Sequence, residues 1–399
     1  MSRHSGVGGA CHTLSGAGMR LFHFPVAEES TAERVLRSSV RTFLECERES
    51  GGFVPGPDCW VSGVSPDFSR KLGRQGWIGM TWPKAYGGHD RPALDRFVVT
   101  EELLVAGAPV AAHWIADRQS GGQVLAYGTE EQKRSILPRI AAGECYFSVG
   151  MSEPQAGSDL AAIQTRATRT LTGWLLQGRK IWSTGAHIAG YMIVLARTSP
   201  AEGKNRHVGL SQFLVDLSLS GIDVSGIRDM AGAAHFNEVV FDGVELPGDT
   251  LLGKEGDGWA QCMRELAMER SGPERFLTTF ILLEKALEAI RDQISPIVLG
   301  DLIARLVTLR AMSRGIALRL QKGENPGTEA VIVKQLGNVF EKHLFSAIRS
   351  AIAIGPEADI RDDLLSLRDE AQLRLPSHSL RGGTTEILRG VIARQLGVR

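Results

Sequence analysis

Residues 148–184 constrain the fold of this chain more than any other stretch. Ile163-Gln164-Thr165-Arg166-Ala167-Thr168 alternates apolar and polar side chains, and Thr172-Gly173 supplies a turn. The alternation then resumes through Trp174 to Gly178 and Lys180-Ile181-Trp182-Ser183-Thr184-Gly185. A period of two broken by a glycine turn reads as a hairpin in an antiparallel sheet. Ahead of it, Ser152-Glu153-Pro154-Gln155-Ala156-Gly157-Ser158-Asp159 is a polar loop between apolar runs. Small residues, hydroxyls and one indole gathered there suit a flat aromatic ligand with a phosphate tail.

The strand period is confined to the middle of the chain. Runs at 191–196, 211–215 and 238–241 are β-like and separated by Gly, Pro, Ser and Asn. On the N-terminal side, Val35, Leu36, Val40, Phe43 and Leu44 recur at helical spacing. Residues 68–72, 91–106 and 130–142 read as further helices, the last capped by Thr129. Turn chemistry interrupts at 55–66 and 76–88. After Pro247 the helical period returns over 259–270, 274–290, 302–320, 328–352 and 361–374. The expected fold class is therefore α+β. Residues 1–20 form a Gly- and Ser-rich tail, 21–145 a helical domain, 146–248 a β domain, and 249–399 a second helical domain. With 399 residues, one hydrophobic core is too few.

Charge excludes two classes of partner. Lys plus Arg (45) equals Asp plus Glu (45), so nothing here draws in a nucleic acid or an anionic membrane surface. No apolar run is long enough for a membrane span. The five cysteines (Cys11, Cys46, Cys59, Cys145 and Cys262) are scattered without metal-ligand spacing, which fits a reduced, cytoplasmic setting. There is no GxGxxG, and Gly150-Met151-Ser152 is followed by Glu153-Pro154, so no nucleophile elbow forms. With no metal cluster and no triad, redox chemistry here needs a cofactor.

The 152–184 stretch, followed far downstream by Arg381-Gly382-Gly383-Thr384-Thr385-Glu386-Ile387-Leu388-Arg389, resembles two signatures of the acyl-CoA dehydrogenase family in the family's order. The resemblance covers roughly residues 21–399. It implies a helical domain, a central β barrel or sandwich and a C-terminal four-helix bundle, with bound FAD. By it, Ser152 would bond the flavin pyrimidine edge, Trp182 would cover one face of the isoalloxazine, and Thr184 would donate to its N5/O4 edge. Ser158 would lie near the CoA or acyl chain with Arg270 also toward the substrate, and Thr384 and Glu386 would contact the ADP portion. Gly382-Gly383 also reads as a turn starting a helix, capped by Thr384 or Thr385.

Two positions depart from the family. Dehydrogenation of an acyl thioester needs a desolvated carboxylate to take the α-proton. The usual base precedes the Gly-Thr of the C-terminal signature, where this chain has Gly382. A minority of the family carries its base directly before an Arg on the first helix after the β domain, which is Glu269-Arg270 here. Trp259, Cys262, Met263, Leu266 and Arg270 share a largely apolar arc of that helix, with Glu269 at its edge. Glu269 is thus the candidate base, Glu265 one turn earlier the second. The alternative is a border charge paired with nearby arginines. The family's Arg-x-x-Phe-Gly, given to the flavin pyrophosphate across a dimer interface, has no counterpart at Arg291-Asp292-Gln293-Ile294-Ser295-Pro296. Arg270 to Phe276 is a possible substitute.

The resemblance implies FAD-dependent α,β-dehydrogenation of an acyl-CoA, with an electron-transferring flavoprotein as partner and a homodimer, homotetramer or hetero-oligomer as assembly. Residues 76–88 and His235-Phe236-Asn237-Glu238 look most like bacterial members acting on branched, cyclic or steroid-side-chain thioesters. A non-catalytic subunit of a hetero-oligomer and a flavin monooxygenase on the same fold are the alternatives.

Overall fold

Ser30 starts the first helix with a reciprocal cap: its hydroxyl accepts from the Glu33 amide, and the Glu33 carboxylate accepts from the Ser30 amide. This is α1 (Thr31–Glu49), which buries Leu36, Val40 and Leu44. It is followed by α2 (Cys59–Ser62), α3 (Pro66–Arg74) and α4 (Ala93–Val105). Then come α5 (Ala111–Ile115), a π turn over Ala116–Ser120, α6 (Gly121–Tyr127) and α7 (Glu130–Ala141). Thr129 caps α7 with Gln132 returning the bond, as its sequence predicts. The computed structural model describes residues 22–398 apart from 27, 202, 204 and 355–361, and leaves the side chains of 267–269 undescribed. The tail expected over residues 1–20, with Cys11, lies outside the described residues, as does Arg361 at the start of the helix expected at 361–374.

The sheet holds β1 (Phe147–Gly150), β2 (Arg166–Arg169), β3 (Gly173–Thr184), β4 (Tyr191–Arg197), β5 (Leu210–Asp216), β6 (Ile222–Ile227), β7 (Phe236–Pro247) and β8 (Leu251–Leu252). Their order is β6-β7-β3-β2-β4-β5-β8, with β1 parallel to β4. The expected hairpin is β2–β3, antiparallel from Arg166 opposite Gln177 to Arg169 opposite Trp174. β3 continues against β7, and its register shifts between Lys180 and Ser183. Trp174, Leu176, Met192, Phe213 and Phe241 fill the sheet's own core. Each such side chain contributes roughly 1.5–3 kcal/mol.

Beyond the sheet lie α8 (Gly258–Glu269), α9 (Phe280–Ile290), α10 (Pro296–Gln321), α11 (Gly327–Ile354), α12 (Asp362–His378) and α13 (Thr385–Gln395). One apolar core joins the two helical regions: Leu72, Val98 and Leu104 belong to the same cluster as Leu282, Phe340 and Leu344. One expectation shifts. The helix expected at 274–290 starts only at Phe280, because Gly272-Pro273 break the chain into a short 3-10 turn, Pro273–Arg275. The buried Glu341 carboxylate then accepts from the Thr278 and Thr279 amides ahead of α9. The stretch 111–127, which mixes helix formers with Ser120-Gly121-Gly122, is helical around its π turn.

Candidate active site

A buried ion pair fixes the polar loop. Lys180 is fully buried on β3, its ammonium 2.8 Å from Glu153 and 3.1 Å from the Met151 carbonyl. Glu153 also accepts from the Gln164 amide (2.7 Å), the Thr165 amide (2.9 Å) and the Gln155 side chain (2.7 Å). Burial pushes the Lys180 ammonium down to about 8, with Glu153 acting against that. Burial opposes ionisation of Glu153 too, but Lys180 and the loop amides hold its carboxyl below the usual range. The loop is therefore clamped onto the strand that carries the indole. The Ile181 amide donates to the Ser152 carbonyl at 2.9 Å, completing the link.

Trp182 stands on strained backbone. Its φ is 62°, in the left-handed region that bulky residues avoid, at the register shift of β3. The strain turns the indole outward, 57% exposed, edge-on to Phe236 at 6.1 Å, while Lys180 and Ser183 are buried. Thr184 is half-buried and its carbonyl accepts from the Ser148 hydroxyl. Ser152, Trp182 and Thr184 thus form one cluster on the sheet. Ser158 is exposed further along the loop, beside Asp159, whose two carboxylate oxygens pair with Arg206 at 2.8 and 2.9 Å.

The second cluster joins α8 to the C-terminal signature. Arg270, just past α8, donates through Nε to the Gly382 carbonyl at 2.8 Å. Gly382 and Gly383 have φ of 64° and 108°, conformations that favour glycine, so the chain turns sharply into α13. Thr384, rather than Thr385, caps that helix by accepting from the Ile387 amide. Glu386 is exposed in the first turn, its carboxyl lowered by its own backbone amide and by Thr384. Glu269 ends α8; its side chain lies outside the described residues. Glu265 is buried against α6, accepting from Gln123 at 3.3 Å. Cys262 is buried, but Met263 is exposed, so the apolar arc of α8 is narrower than its sequence suggests.

The two clusters meet across His235. Burial lowers its pKa, Asp229 at 3.6 Å and then Asp58 act against that, and Arg374 and Arg381 add to it. His235, Asn237 and Arg374 line a cavity of about 450 Å³ with Ser62 and His187. His235 and Asn237 flank Phe236, which lies opposite Thr184 on β3. No motif signals several of the residues around this junction. Asp58, held at φ 56°, accepts from Arg381 on both carboxylate oxygens at 2.9 Å, and Arg381 lies over the Trp60 ring. The partners are too far apart in the chain for a spacing rule to find them.

Family models match two parts of the chain: the acyl-CoA dehydrogenase N-terminal domain at residues 30–144 and the middle domain at residues 148–244. Acyl-CoA dehydrogenase FadE26 of Mycobacterium tuberculosis is 35% identical over 253 residues, spanning 63% of this chain and 62% of that protein. Acyl-CoA dehydrogenase IpdE1 of the same organism is 32% identical over 340 residues, 82% of this chain and 86% of that protein. Among solved structures, the Tcur3481-Tcur3483 steroid ACAD superposes with a TM-score of 0.80 at 26% identity, covering 93% of this chain and 98% of that chain.

Proposed function

The chain belongs to the acyl-CoA dehydrogenase family of flavoprotein oxidoreductases, and from that premise we propose that it dehydrogenates the α,β bond of an acyl-CoA thioester with Glu269 as base. FAD is the family's cofactor, and the residues present suit it. An outward indole on fixed backbone and the Thr184 hydroxyl suit a flat ring, and the start of an eleven-residue helix after two glycines suits a pyrophosphate. When bound, FAD supplies the acceptor for the β-hydride.

One observation carries the choice of base. Arg270 reaches Gly382, so the end of α8 abuts the position that the family's usual carboxylate leaves empty here. A carboxylate on Glu269 would take the α-proton there and become the neutral acid. Arg270 orients the glycine turn, Trp182 and Thr184 position the ring, and Ser152 and Ser158 border the loop that faces the thioester. The test is anaerobic titration of the FAD-loaded protein with branched, cyclic and steroid-side-chain acyl-CoAs, read as bleaching near 450 nm. Glu269→Gln should slow bleaching by about 10²- to 10⁴-fold. Equal bleaching rates in the variant would remove Glu269 from the role.

We infer an electron-transferring flavoprotein as reoxidant, and a cytoplasmic setting from the free Cys46, Cys59, Cys145 and Cys262. Among the described residues no helix is long and apolar enough to cross a membrane. A second reading, a subunit that works only beside a related chain, is favoured by the short connection between α9 and α10. Only Arg291–Ser295 joins them, with no Arg-x-x-Phe-Gly. A protein that gains flavin only on co-expression with such a chain would support it.

A further inference from the structure

A row of arginines and tryptophans leads away from Gly382. Arg381 lies over Trp60 at 4.6 Å and Arg275 over the same ring at 5.1 Å. Trp60 packs on Trp114 at 5.6 Å, and Arg118 lies over Trp114 at 5.2 Å. Both tryptophans are buried. Arg118 reaches Glu274 only at 3.3 and 3.4 Å and donates to the Thr100 hydroxyl at 3.4 Å. It also packs against Gly272, where an added Cβ would lie 2.3 Å from its Nη2. Gly272 is three residues past Glu269, so this wall starts beside the proposed reaction centre.

Within electrostatic reach of Arg118 stands Arg96 on α4, one turn before Thr100. Its neighbours Phe97, Val98, Val99 and Thr100 are buried, yet it keeps partial access to solvent. Its backbone is bonded, the amide to the Pro92 carbonyl and the carbonyl to the Thr100 hydroxyl, but the Arg96 guanidinium makes no hydrogen bond or ion pair among the described residues. Burial lowers its pKa to about 10, with Arg118 adding to the loss and Asp117 and Glu274 opposing it. Neither carboxylate bonds the Arg96 guanidinium: Asp117 accepts from the Gly79 amide, and Glu274 lies between Arg118 and Arg275. A hydrocarbon laid along this wall would strip water from a guanidinium and return nothing. A carboxylate would meet the fork of donors that Arg offers.

We propose that this wall is the far end of the acyl pocket and selects CoA thioesters whose acyl group bears a carboxylate remote from the thioester. The inference rests on Glu269 and Gly382 marking the reaction centre. Matched thioesters of graded length, each with a methyl or a carboxylate terminus, are titrated calorimetrically into the FAD-loaded protein. At one length the carboxylate form should bind about a hundredfold tighter. Arg96→Met should abolish that preference while leaving the methyl form bound as before, and Arg96→Lys should restore part of it. Equal binding of both termini at every length, or equal weakening of both by Arg96→Met, would overturn the proposal. If Arg96→Met does not fold, the wild-type comparison decides alone. Carboxylate preference without flavin bleaching would keep this subsite and sink the dehydrogenation; bleaching without preference would do the reverse.

Discussion

Two buried charged regions of this protein are built to opposite rules. Around Glu153, a lysine, two backbone amides and a side-chain amide leave neither carboxylate oxygen without a donor. Along the Trp60–Trp114 wall, one guanidinium has no hydrogen-bond or ion-pair partner among the described residues and another makes only long contacts. A buried charge that is fully satisfied holds the chain in one conformation. One that is not keeps a cost in the free protein that a ligand can offset. The first region is scaffold for the cluster at Ser152, Trp182 and Thr184, and the second is receptive.

That contrast can be broken in order of size. Glu153→Gln leaves Lys180 buried without its charge partner and should destabilise the fold by about 3–5 kcal/mol in denaturant titrations; a loss below about 1 kcal/mol would show that the pair is dispensable. Gly272→Ala tests the wall. Its Cβ would fall 2.0 Å from Glu274 Oε2, so the flexible ends of Glu274 and Arg118 must move. The cost should be about 1–3 kcal/mol by overpacking, with the carboxylate preference falling although Arg96 is untouched.

Glu341 adds a pH signature. Burial raises its carboxyl to about 7 from 4.5, against the lowering by Thr279 and Thr278. A raised folded-state value means that its contribution is fully present below about 4.5 and lost as pH rises through about 7. Denaturation midpoints should fall over that window, and the fall should flatten in Glu341→Gln. The smallest effect is expected at α13: Thr384→Ala removes one cap and should cost about 1 kcal/mol, seen as a small drop in melting temperature with flavin release at lower denaturant.

Much of the framework is legible in residue order. The β2–β3 alternation, the Thr129 cap and the change of period after Pro247 all depend on neighbours within a few positions. Trp182 and Thr184 stand out for the same reason, and the alternation puts them on the face opposite Ser183. The positive φ that turns the indole outward is not legible, since it arises from the register shift against β7. Nor is the Arg96–Arg118–Glu274 group, whose members sit on three segments distant in sequence and brought together only by the fold. The late start of α9 has the same cause: its amides are met by Glu341, 63 residues away in the Thr278 contact.

The outward turn of Trp182 also makes the protein optically addressable. Trp60, Trp77, Trp82, Trp114 and Trp174 are buried and Trp259 is half-buried, so Trp182 is the indole most open to solvent. Its emission should be the reddest and the most readily quenched by acrylamide. Anything that stacks on that ring should shield it, so occupancy of the site can be followed by fluorescence without any turnover.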